Sequence, residues 1–138
     1  MNPSKIAAMM MATATLSSCQ PPRIIVDVCQ QAGRTGFHIT MPSKEAPQMD
    51  RLTVLASDSG DKSWTRIWST YAPTNAGRYE PFRSDIILYG DVPAGWLGGG
   101  LVPPLAEGIS YEVMIEGGGH NGGTTFSHGP PLPECGTL

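Results

Sequence analysis

Ser110-Tyr111-Glu112-Val113-Met114-Ile115-Glu116-Gly117 alternates its core-forming and solvent-facing side chains along its length. Successive side chains of an extended chain point to opposite sides, so Tyr111, Val113 and Ile115 share one face. Glu112, Met114 and Glu116 share the other. The period is two, which predicts a half-buried β-strand and not a helix. The flanks fit that reading. Downstream, residues 117–123 form a glycine-rich hairpin, Gly-Gly-Gly-His-Asn-Gly-Gly, and residues 124–128 close as a last strand with Phe126 inward. Upstream, residues 91–104 make a long Gly- and Pro-rich loop around Trp96-Leu97, read either as an exposed contact or as a plug that folds back onto the protein.

Further upstream the same rhythm recurs. In residues 23–29, Ile24, Val26 and Val28 oppose Ile25, Asp27 and Cys29. Residues 30–36 read as a turn. In residues 36–41, Phe37, Ile39 and Met41 point inward and His38 and Thr40 outward. Residues 51–57 carry Leu52, Val54 and Ala56 on one side, and residues 84–90 make a further strand. Residues 62–72 support two readings. Trp64, Ile67, Trp68 and Tyr71 have helical spacing, whereas alternation puts Trp64, Arg66 and Trp68 on one face of a strand. The β-favouring Thr, Ile, Trp and Tyr and the turn residues on both sides favour the strand. About seven short strands separated by Gly and Pro turns predict an all-β chain, an antiparallel β-sandwich over residues 23–138.

Leu105-Ala106-Glu107-Gly108-Ile109-Ser110-Tyr111-Glu112-Val113 resembles the tyrosine-corner region of fibronectin type III and related immunoglobulin-like domains. There, a leucine precedes the tyrosine by six residues, and the tyrosine hydroxyl bonds back to upstream backbone. Leu105, Gly108, Tyr111 and Val113 match, while Glu107 stands where proline is usual. The resemblance implies an immunoglobulin-like sandwich, with Trp64 or Trp68 as its core tryptophan. A fold of this class implies no reaction.

The N-terminus carries Lys5 and then an uncharged segment, residues 6–16. Its length suits a secretory apolar region of ~7–15 residues and falls short of the roughly 20 that span a bilayer. Leu16-Ser17-Ser18-Cys19 follows. This resembles the lipobox of bacterial lipoprotein precursors. The resemblance implies a signal peptide over residues 1–18, a diacylglyceryl group on the Cys19 sulfur, acylation of the new amino group by a chain such as palmitate, and a short tether over residues 19–22. Ala12-Thr13-Ala14 offers a rival cleavage site. Gln20, in place of the Asp that resembles an inner-membrane retention signal, points to the outer membrane, facing the periplasm, in a Gram-negative host.

Three cysteines, an odd number, need accounting for in an exported protein. Lipid on Cys19 leaves Cys29 and Cys135 to pair in an oxidising compartment; the alternative is two buried free thiols. Removing the leader takes Lys5 with it. Nine basic side chains become eight against 12 acidic ones, a net charge of −4. That balance argues against a nucleic-acid partner. It leaves membrane anchoring to the acyl chains, at about 0.8 kcal/mol per buried CH₂.

Candidate chemistry is sparse. His38, His120 and His128 form no metal-binding pattern, so no metal or cofactor is expected. Ser127, His120 and Asp91 could be assembled into a hydrolase triad only without a nucleophile elbow. Glu112 and Glu116, about 13 Å apart at strand rise, are too distant for a glycosidase pair. No catalytic residue is assigned. The expected function is a non-catalytic binding or structural module of the cell envelope, touching a protein or glycan through Trp96, Leu97, His120 and Asn121. The alternative is a secreted enzyme or metal-binding protein using the His120/His128 hairpin.

Overall fold

The strands are β1 (Ile25–Gln31), β2 (Arg34–Thr40), β3 (Arg51–Ser57), β4 (Trp64–Tyr71), β5 (Ile86–Leu88), β6 (Leu97–Gly98), β7 (Ser110–Gly117) and β8 (His120–Ser127). A 3₁₀ turn, Cys135–Thr137, follows. These come from a computed structural model that describes residues 23–41, 49–57, 63–73, 85–117 and 119–137. The leader, Cys19, the Pro21-Pro22 tether, and the loop residues 42–48, 58–62 and 74–84 lie outside the described residues. Among the described residues no helix is long and apolar enough to cross a membrane.

Two antiparallel sheets pack face to face. One has the order β1-β2-β5, the other β6-β4-β3-β7-β8. Lettered in chain order, these are A-B-E and C′-C-F-G with β6 added at the C′ edge, the strand sharing of an immunoglobulin-like sandwich. The core lies between the sheets and contains Val26, Phe37, Ile39, Leu52, Val54, Trp68, Tyr111, Val113 and Ile115. These residues recur at every second position along their strands, so the inward faces follow from alternation.

The tyrosine corner is present. The Ala106 N–H donates to Tyr111 Oη at 2.7 Å, and the hydroxyl lies 3.4 Å from the Ala106 carbonyl oxygen. Gly108 makes the turn with φ +79°. Tyr111 stacks on Phe126 with ring centroids 5.3 Å apart, and Phe126 meets Phe37 edge-on at 5.7 Å.

Four local expectations change. The first turn is two residues, Ala32-Gly33, and β2 begins at Arg34, which faces Gln31. Both turn residues have positive φ, +50° and +74°, the geometry of a tight hairpin turn. The glycine hairpin is also tighter than expected. Gly117 pairs with His120, so β8 starts at His120 and takes in Asn121, Gly122 and Gly123. Residues 62–72 contain the strand β4, but the register shifts between Val54 and Leu55, which face Trp68 and Arg66. Ile67 is therefore the extra residue of a β-bulge, which resets the alternation. Trp68 is buried and is the core tryptophan, while Trp64 is 40% exposed on the outer face. Last, the 91–104 loop contains an eighth strand, β6, against β4.

The tail closes on β1. The Gln30 N–H donates to the Pro133 carbonyl at 2.8 Å, and Gln30 Nε2 donates to Glu134 Oε1 at 3.1 Å. Cys29 and Cys135 form a disulfide with Cα atoms 4.8 Å apart, spanning 106 positions of sequence.

Candidate functional site

The register of the five-stranded sheet assembles a surface that no single strand reveals. Leu97 faces Tyr71, Tyr71 faces Arg51, Arg51 faces Glu116, and Glu116 faces Asn121. Their neighbours Thr70, Leu52 and Ile115 point into the core, so this row points to solvent. At about 4.8 Å per strand it spans roughly 19 Å. Arg51 Cζ sits 5.9 Å from the centre of the Tyr71 ring, within cation–π reach. A cleft of about 590 Å³ opens at this end, lined by Asp50, Arg51, Tyr71, Ala72, Pro73, Leu97 and Glu116.

Further along the same outer face stand Met114 and Trp64, paired across strands with Thr53 and Ser57. Tyr71, Leu97, Met114 and Trp64 are between 38% and 49% exposed. One solvent face thus carries separated apolar side chains among Arg51, Arg66, Glu112 and Glu116. Such mixed surfaces can take an aromatic-stacked or hydrogen-bonded partner. Nothing in this row has the geometry of a nucleophile with its base.

The expected contact residues divide. Leu97 and Asn121 stand at opposite ends of the row. Trp96 does not join them, since its side chain packs against the core. Its backbone N–H donates to the Pro93 carbonyl at 2.9 Å. His120 lies on the opposite, inward face of β8. Its Nδ1 is buried and has no hydrogen-bond partner among the described residues.

The histidines share no site. His120 and Ser127 sit at opposite ends and on opposite faces of β8, about 24 Å apart at strand rise. His128, just beyond, bridges to Glu107. Asp91, the third member of the hydrolase triad considered above, is engaged by Arg34 at 2.7 and 3.1 Å. His38 lies on the other sheet, its Nε2 3.4 Å from Asp85. Among the described residues, no three His, Cys, Asp or Glu side chains gather as metal ligands.

The reading of the sequence put Glu116 on an outward strand face and Tyr71 in the ambiguous segment, but assigned none of Tyr71, Arg51 and Glu116 to a contact site. The residue types gave no signal there. Only the pairing of β4, β3 and β7 lines them up. Comparison with protein-family models, with curated proteins and with solved structures gives no match to this chain.

Proposed function

We propose that this chain is an envelope lipoprotein, held by lipid on Cys19, whose β-sandwich is a non-catalytic binding module. It belongs with fibronectin type III-like modules, on the strength of the corner at Tyr111 and the strand order. It works through the outer face of the five-stranded sheet, and its partner is a protein or glycan that meets Leu97, Tyr71, Arg51, Glu116 and Asn121. The outer membrane, with the domain in the periplasm, is the address that Gln20 supports.

The observation that carries this reading is the disulfide. Of three cysteines, Cys29 and Cys135 are bonded to each other, which leaves Cys19 as the odd one. A thiol two residues before Pro21-Pro22 and directly after Leu16-Ser17-Ser18 is the one that thioether formation needs. The separation of His120 from His128 gives the enzyme or metal alternative no common site to use.

Intact-mass measurement on protein extracted from membranes tests the proposal. The expected mass is that of residues 19–138 plus a diacylglyceryl group and an N-acyl chain. Exchange of Cys19 for Ala should leave an unprocessed, unacylated chain. A lipid-free chain beginning at Thr15 overturns the proposal.

A further inference from the structure

The strands give the domain two distinct ends. At one end β1 begins, and the Ile24 N–H donates to the Asn121 carbonyl at 2.9 Å. Arg51 at the start of β3, Tyr71 at the end of β4, Leu97 in β6 and the turn between Gly117 and His120 lie at this end. The Ala32-Gly33 turn, Gly108 and His128 lie at the other. β8, running from His120 to Ser127, separates the ends by about 24 Å.

The anchor enters at the first end. Ile24 is fixed by its hydrogen bond and is buried. Only residues 19–23 separate it from the Cys19 side. At ~3.3–3.6 Å per residue they reach at most about 18 Å, less than the length of the domain. A lipid on Cys19 therefore keeps the Ile24 end close to the headgroups, while the Ala32-Gly33 end, a strand length away, lies beyond the reach of the tether. We infer that the end formed by Ile24, Arg51, Tyr71, Leu97 and the 117–120 turn faces the bilayer. The inference rests on the anchoring proposed above.

The chemistry of that end suits contact with a lipid surface. Tyr71 and Leu97 present exposed apolar surface there, and tyrosine fits the boundary between apolar and wet regions. Among the described residues at this end, Arg23 and Arg51 stand against Asp50, Asp85 and Glu116, so they form no basic patch for anionic lipid. The covalent tether, and not charge, brings this end to the surface, so its approach is insensitive to salt and to anionic lipid. The cleft at Arg51 and Tyr71 opens near the membrane, and the row it belongs to crosses the strands at that same level, so a partner that meets the row meets it beside the headgroups.

The test uses isotope-labelled protein purified from membranes and placed in nanodiscs of zwitterionic phospholipid doped with a nitroxide-headgroup lipid. Amide peaks of Ile24, Arg51, Ala72, Gly119 and Asn121 should be lost. Those of Gly33, Gly108 and Gly129 should persist, with the same pattern at high salt. Loss at the far end, or uniform loss, overturns the orientation. The same sample is weighed first. An unacylated Cys19 there sinks the anchoring and the inference together, whereas an acylated chain with the wrong pattern sinks the orientation alone.

Discussion

At the scale of single residues, two tyrosines show how a hydroxyl decides local stability. Tyr111 Oη accepts the Ala106 N–H while its ring stacks on Phe126. Tyr111→Phe keeps the ring and strands the amide, so stability should fall by about 1–2 kcal/mol, read as a lower urea midpoint with an unchanged slope. An unchanged midpoint would show that the corner contributes only packing. Tyr89 works differently. Its hydroxyl donates to the Pro103 carbonyl at 2.7 Å. Burial, aided by nearby Tyr111, holds its phenol neutral above the ordinary tyrosine range. The unfolded chain therefore ionises first. The contribution is complete below about pH 10 and is lost as pH rises through the folded value. Urea unfolding across alkaline pH should show stability falling there, with a shallower decline in Tyr89→Phe. An identical slope in the variant would assign the loss to other groups.

At the scale of elements, legibility depended on whether alternation was interrupted. β3 and β7 read directly because their apolar positions repeat without a break between turn residues. β4 read ambiguously because the bulge at Ile67 brings Ile67 and Trp68 both against the core. That leaves the i, i+3, i+4 spacing a helix would show. β6 carries no pattern at all. It is a strand because Thr70 Oγ1, fully buried, donates to the Leu97 carbonyl at 2.9 Å, and because position 98 is glycine. A Cβ there would lie 2.9 Å from the Ser69 carbonyl oxygen and 3.0 Å from the Thr70 Cα, at φ +147°. Gly98→Ala should therefore lift β6 off β4 at a cost of about 1–3 kcal/mol while the sandwich stays folded. Hydrogen exchange should accelerate at residues 96–98 and not in β7. Gly136→Ala, which meets nothing within 4 Å, is the control. The candidate site was half legible for the same reason. Leu97 and Asn121 stood out singly as exposed loop residues, but their alignment with Tyr71, Arg51 and Glu116 is a property of register across five strands.

At the scale of the whole molecule, the disulfide joins what the sheets leave separate. β1 is an edge strand, a liability unless it is covered, and the tail covers it through Pro133 and Glu134. The bond itself is sheltered. Cys29 and Cys135 are 0% and 3% exposed, and a Cβ at Gly36 on the neighbouring strand would lie 2.9 Å from the Cys135 sulfur. A crosslink spanning 106 positions restricts the unfolded chain by roughly 4–5 kcal/mol in the chain-entropy account. Domains of this kind have about 5–15 kcal/mol in all, so the bond accounts for a large share of stability. The Cys29→Ala, Cys135→Ala double variant leaves the core of Phe37, Leu52, Val54 and Val113 intact. It should remain folded in the cold, with a much lower urea midpoint and fast hydrogen exchange over residues 129–137. The amide of Gln30, deprived of the Pro133 carbonyl, should exchange with them, while those of Ile25 and Asp27, which alternate with it and point to β2, stay protected. If the midpoint hardly moves, the tail is held by its own hydrogen bonds and the disulfide serves only to consume two thiols. That result would weaken the stability argument and leave the cysteine accounting, and the assignment of Cys19, untouched.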